Sequence, residues 1–169
     1  MDKKIVKLIK NTSIGYLATA ASNLQPYMTP VVFIIQNENV YVPLDEKPKT
    51  VSISELKRVK NIQKNPKVCF LVHHYDEDWT KLWFVMITGY AGLLDSTSEK
   101  LKTIHNKFLN KYSQYNKISV GNFYIRIRID KTAYWNYTQV EYSYFNKQIR
   151  TECLYQLVEP YYMEGFEWF

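Results

Sequence analysis

The sequence predicts a mainly β, α+β protein: six antiparallel strands closed into a barrel, with helices flanking it. Three observations carry that expectation. Six apolar or alternating runs each end at a polar or proline-containing turn. Three stretches of helical periodicity fall ahead of or between them. The regular strand–helix alternation of a parallel sheet is absent. A chain of 169 residues fits one domain with one real core, and its 46% hydrophobic content supports a globular fold.

In chain order, Asp2 to Lys10 reads as a short helix, with Asp2 as cap and Ile5, Leu8 and Ile9 on one face. Ile14 to Ala20 is the first strand, and Ala21-Ser22-Asn23 a turn. Gln25 to Ile35 is the second strand. It is apolar nearly throughout, as expected of burial on both faces, or of a barrel wall that also meets another subunit. Pro26 and Pro30 interrupt its ladder. Prolines belong at edges and bulges, where freed backbone groups are open to a ligand. Gln36-Asn37-Glu38-Asn39 is a polar hairpin turn, and Val40 to Pro43 the third strand.

A helix is expected from about Ser52, where Ser52 and Glu55 have the spacing of a capping box. Ile53, Leu56, Val59 and Ile62 form its apolar face, and Asn65-Pro66 ends it. Lys67 to Tyr75 is the fourth strand, Asp76-Glu77-Asp78 an acidic loop, and Leu82 to Leu94 a long fifth strand. A second capping box, Ser96 with Glu99, opens a helix that buries Leu101, Ile104 and Phe108 and runs to about Tyr112. Asn122 to Asn136 is the sixth strand.

Several chemistries are excluded or disfavoured. No run of ~18 apolar residues offers a membrane span, and the N-terminus Met-Asp-Lys-Lys-Ile has no apolar signal core, so a cytoplasmic protein is expected. The net charge of +6 is compatible with nucleic acid, an acidic membrane surface or an anionic small molecule. The lysines are scattered and accompany no nucleic-acid-binding signature, so neither nucleic acid nor membrane is expected as a partner. With 5 glycines and no GxGxxG or Walker sequence, Rossmann and P-loop sites are out. No serine lies in G-x-S-x-G. Adjacent His73 and His74 on a strand point to opposite faces, and no metal site is expected. Cys69 reads as a buried packing residue; a disulfide with Cys153 is disfavoured by a cytoplasmic location.

The most informative stretch runs from Asp45 to Ala91. It opens with the loop Asp45-Glu46-Lys47-Pro48-Lys49, just ahead of a helix N-terminus, a place suited to a phosphate. Lys47, Lys49 and Thr50 are the leading phosphate candidates, with Arg58 further into the helix. Each lysine alone could equally be a solubilising surface group.

With Leu56-Lys57-Arg58, Asn61-Ile62, Asn65-Pro66, Leu71 to Trp79, Leu82-Trp83-Phe84-Val85 and Gly89-Tyr90-Ala91, this stretch resembles the split-barrel flavin-binding superfamily of pyridoxamine-phosphate-oxidase-like proteins. It is most similar to the branch that uses the deazaflavin coenzyme F-420. The resemblance implies a six-stranded split β-barrel with Greek-key connections over residues 1–137. It also implies a homodimer with cofactor sites at the interface, and FMN or F-420 as cofactor. The segment Met28-Thr29-Pro30-Val31-Val32 would lie against the ring, Arg58 would reach the phosphate, and Trp83, more than Trp79, would stack on the ring.

The implied function is a flavin- or deazaflavin-dependent oxidoreductase that moves a hydride to or from a small organic substrate. No catalytic acid or base is named. The alternative is a non-catalytic carrier or sensor holding a flavin or similar ligand. Residues 138–169 depart from the family: an aromatic extension expected to pack on the barrel or on a partner subunit.

Overall fold

The structure, a computed structural model, describes residues 3–44, 52–95 and 99–137. The aromatic extension, Cys153, the loop holding Lys47, Lys49 and Thr50, and Ser96 lie outside the described residues. The elements in order are α1 (Lys3–Lys10), β1 (Ile14–Ala20), β2 (Pro26–Val32), β3 (Ile34–Gln36), β4 (Asn39–Pro43), α2 (Lys57–Lys64), β5 (Lys67–His74), β6 (Trp83–Asp95), α3 (Glu99–Lys111) and β7 (Phe123–Asn136).

All strands belong to one antiparallel sheet in the order β2-β1-β5-β6-β7-β4-β3. Its two edges, β2 and β3, are consecutive in the chain and separated by Phe33 alone. A sheet whose first and last strands are joined by one residue has to curl back on itself. The result is a rolled, half-barrel sheet, the class of fold the sequence implies.

The sheet has seven strands rather than the expected six, because the long second strand is broken. Phe33 is fully buried, and its N–H donates to the Tyr112 hydroxyl at 3.0 Å instead of to a neighbouring strand. That bond bends the chain, so β2 pairs with β1 and β3 pairs with β4. The expected burial of this strand on both faces does not hold within one chain. Tyr27 and Met28 are exposed, and β2 is a bare edge, which explains how Pro26 and Pro30 are tolerated.

The β3–β4 turn agrees with its polar sequence. Asn37 and Glu38 take φ of 49° and 57°, the left-handed pair of a tight hairpin turn.

The barrel interior is filled by alternate residues of each strand, among them Leu17, Val42, Phe70, Val72, Val85, Ile87, Ile125 and Ile127. Gly15 faces this interior at a position where a Cβ would sit 2.2 Å from the Phe70 ring, so the absence of a side chain is what lets that ring cross β1. Ile5 and Ile9 of α1 and Val59 and Ile62 of α2 close the core. A second, aromatic cluster lies under α3 and holds Phe108, Tyr112, Tyr115 and Tyr124.

The helix expected from Ser52 starts later. Ser52 precedes a 3-10 turn over Ile53–Glu55 and makes no side-chain cap bond; its hydroxyl pairs instead with that of Ser54. Leu56 then breaks the helix (φ −59°, ψ 129°), and α2 begins at Lys57. Ile53 and Leu56 both pack against the barrel core, and this tertiary demand overrides the local capping signal.

Candidate functional site

The site is built on the bare edge of β2. Its residues alternate: Tyr27, Thr29 and Val31 pair with the inward residues Thr19, Leu17 and Gly15, while Met28, Pro30 and Val32 share the outer face. An edge strand leaves half of its backbone N–H and C=O groups without a ladder partner. Thr29 adds a second unfilled demand. Its hydroxyl oxygen is buried and meets no hydrogen-bond partner among the described residues. A buried polar atom is normally satisfied, so this one marks a place for a group the described residues do not supply.

Helix α2 is fastened to this strand by a buried relay. Asn61 Nδ2 donates to Thr19 Oγ1 at 3.0 Å, and the Thr19 hydroxyl donates to the Tyr27 carbonyl at 3.5 Å. Asn61 and Thr19 are each 3% exposed, and they are the buried polar side chains of the described residues. Arg58, three residues before Asn61, lies on the same side of the helix and is half-buried. The relay therefore orients the arginine-bearing face of α2 toward β2. Sequence reading assigned Asn61 no such role; the available signal was an amide next to the apolar positions 59 and 62.

On the outer face, the row Met28–Ala18–Cys69–Thr88 runs from the bare edge into a groove of about 500 Å³. Lys67, Tyr90 and Asp130 also line it, and a β-bulge between Thr88 and Gly89 shapes its floor. Cys69 was expected to be a buried packing residue. It is half-buried instead and lines this groove, because it falls on the outward-facing set of β5. Burial pushes its thiol pKa up, so it is a poor nucleophile at neutral pH.

The other singled-out residues lie as follows. Trp83 is half-buried at the start of β6, packs against the barrel core and stacks on His74 at 6.2 Å. It sits at the opposite end of the β5–β6 ladder from the Ala91 N–H, which bonds the Pro66 carbonyl just after α2. The chain by itself thus does not bring Trp83 to the α2 end of β2.

Trp79 is 62% exposed. His73 and His74 face opposite ways, His73 stacking on Tyr16 at 5.6 Å. The acidic loop closes on itself: Asp76 accepts from the Asp78 N–H, and Asp78 accepts from the N–H and hydroxyl of Thr80. Those bonds, with Lys81 alongside, hold the Asp78 carboxyl below its usual pKa. Met28, Thr29, Pro30, Val31 and Val32 are contiguous on β2, and Arg58 belongs to the helix the relay ties to it. Lys47, Lys49 and Thr50 lie outside the described residues.

The outer face of the sheet carries further apolar surface. Tyr16, Leu71, Met86 and Ala133 form one row across it, with Phe84 stacked on Trp135 at 5.9 Å beside them. Each is only half-buried in the single chain.

Comparison with solved structures finds the same fold in proteins of low sequence identity. The putative pyridoxamine 5'-phosphate oxidase from Listeria innocua is 22% identical, with a TM-score of 0.57 over 79% of this chain and 97% of that one. A FAD-binding protein from Mesorhizobium loti is 18% identical, with a TM-score of 0.58 over 78% of this chain and 89% of that one. The heme storage protein from Vibrio cholerae is 11% identical, with a TM-score of 0.59 over 79% of this chain and 93% of that one. No curated protein sequence matches the chain. The family model described as pyridoxamine 5'-phosphate oxidase matches residues 1–136. On that match, spanning most of its length and the whole of the rolled sheet, the chain belongs to the pyridoxamine 5'-phosphate oxidase family.

Proposed function

We propose that the protein binds FMN or the deazaflavin coenzyme F-420 along the bare edge of β2 and uses it to move a hydride to or from a small organic molecule. The observation that carries this reading is the edge strand itself, with unpaired backbone groups beside the orphaned Thr29 hydroxyl. Ring edges rich in carbonyl and N–H groups are the chemistry such an edge recognises. When bound, the cofactor supplies the hydride-carrying centre.

The chain's own residues bind and orient it. The β2 backbone from Met28 to Val32 pairs with the ring edge, and the Thr29 hydroxyl gains the partner it lacks. Arg58, with Lys47, Lys49 and Thr50, holds the phosphate. The half-buried outer face is covered by a second copy of the chain, giving a homodimer in the cytoplasm. Trp83 of the partner subunit then excludes water from the ring.

The test is a titration with FMN, F-420 and hemin, followed by absorbance and fluorescence. One flavin-type cofactor is expected to bind saturably, one per protomer. Thr29→Val and Arg58→Ala should each weaken binding by about tenfold, the equivalent of one charge-assisted or buried hydrogen bond. If no flavin-type ligand binds, the reading fails. Binding of hemin alone, or of a flavin that no reductant or substrate turns over, supports the carrier reading, consistent with the shared fold of the Vibrio cholerae heme storage protein.

A further inference from the structure

At the opposite edge of the sheet, α1, α3 and β3 enclose a cavity of about 150 Å³. Its walls are Ile9 and Lys10 of α1, Phe33 to Ile35, and Lys107 and Lys111 of α3. Three lysines therefore line a space large enough for a small anion. The Lys111 ammonium is partly buried. It donates to the Thr12 carbonyl at 2.7 Å and the Phe33 carbonyl at 3.2 Å, and lies over the Phe33 ring at 4.4 Å. Carbonyl dipoles and a ring face stabilise a cation but do not neutralise it.

No carboxylate among the described residues pairs with Lys10, Lys107 or Lys111. Segment Lys3–Lys10 carries four lysines and no acidic residue, β3 is Ile34-Ile35-Gln36, and α3 has no acidic residue after Glu99. A partly buried ammonium without a counter-ion is pushed toward its neutral form, and the Lys111 pKa falls to about 8 by desolvation. The uncompensated charge, the cavity beside it and two further cations on its rim share one remedy, which is an anion.

We propose that the cavity between α1, α3 and β3 is a phosphate-sized oxyanion site, in which Lys111 is the partly buried cation and Lys10 and Lys107 close over the ligand from the rim. Three cations favour a dianionic phosphate over a monoanionic carboxylate of similar size. The occupant is either free phosphate or the terminal phosphate of a small monoester. The site is distinct from the cofactor site in its lining, which includes none of Met28 to Val32.

The experiment is calorimetric titration of the purified protein, in buffer free of other oxyanions and at constant ionic strength. The ligands are inorganic phosphate, glycerol phosphate and acetate. Saturable phosphate binding is expected, at least about tenfold tighter than acetate. The double variant Lys10→Ala/Lys107→Ala alters two exposed side chains, so its fold should be intact by circular dichroism, and it should lose that binding. Lys107→Arg should keep it, and Arg58→Ala should leave it unchanged. Glycerol phosphate binding as well as phosphate assigns the site to a monoester; failure of glycerol phosphate to bind assigns it to the free ion. Either result supports the proposal. No binding, equal binding of acetate, or phosphate binding that survives the double variant but is lost in Arg58→Ala would overturn it.

Discussion

Strands β2 and β3 are two halves of one bent segment, and they meet opposite fates. The bend that opens the β3 half is tied down by α3, although β3 is itself an edge and its buried Gln36 Oε1 also meets no hydrogen-bond partner among the described residues. Tyr112 and Lys111 at the end of α3 converge on the bend: the Tyr112 hydroxyl lies 2.7 Å from the Phe33 carbonyl and 2.9 Å from the Ser13 carbonyl, and accepts from the Phe33 N–H. One hydroxyl carries one proton and serves one carbonyl at a time, so Lys111 supplies the second bond to Phe33. The β2 half has prolines, exposed Met28 and a buried hydroxyl without a partner among the described residues. Backbone demand that is met locally belongs to the fold. Backbone demand left open on the same strand is where a ligand or a second subunit has something to gain.

The sharpest way to break this comparison is to remove a single oxygen from the tied-down bend. Tyr112→Phe leaves the buried Phe33 N–H short of a partner and removes the bond to the Ser13 carbonyl, and is expected to destabilise the protein by about 2–3 kcal/mol in urea unfolding. A loss under about 0.5 kcal/mol would mean the bend does not depend on α3.

Asn61→Ala comes next. It cuts the relay from α2 to β2 and leaves Thr19 without its donor, at about 1–2 kcal/mol. It should also weaken flavin-type cofactor binding, because the arginine-bearing helix loses its tie to the strand. Unchanged cofactor affinity alongside lowered stability would make the relay purely structural.

On the bare half the effects on stability should be small. Met28→Glu places a charge on the exposed outer edge, so unfolding should move by no more than about 0.5 kcal/mol. Sedimentation should then show the proposed dimer dissociating. A dimer that persists would move the interface off this edge. Thr29→Val, which removes an oxygen that has no partner, should leave the stability of the ligand-free protein unchanged or slightly raised. Clear destabilisation would show that the hydroxyl is already satisfied.

A pH titration also separates the halves. Burial lowers the Lys111 pKa from 10.5 to about 8. Between those values the unfolded chain holds a proton that the folded chain has released, so stability from this residue rises as pH climbs from about 8 toward 10.5. Cys69, Tyr112 and Tyr124 have raised pKa values and act in the opposite direction above pH 9 to 10. The Lys111→Met variant isolates the lysine. In urea titrations at pH 7.5 and 9.5, wild type should gain on the variant at the higher pH. Parallel behaviour would place the ammonium in contact with water.

Local chemistry was legible where local chemistry decides. The alternation in Ile14–Ala20 gave β1 with its bounds, and the polar tetrapeptide at 36–39 gave the tight turn. The break at Phe33 was not legible, because the bond that makes it comes from Tyr112, 79 positions away. The late start of α2 was hidden for the same reason: Leu56 answers to the barrel core rather than to the Ser52–Glu55 spacing. Met28 to Val32 could be singled out from their prolines. Which of them turns inward, and that Thr29 does so with its oxygen unpaired, depends on the register with β1 and on burial that no linear pattern carries.

The central claim, that the open half of the bent strand is the cofactor site, is tested most directly by hydrogen–deuterium exchange with and without saturating FMN or F-420. The account predicts that one of the two cofactors slows exchange across residues 26–32 and leaves residues 34–36, which pair with β4, unchanged. Protection that appears elsewhere, with none across 26–32, would contradict it.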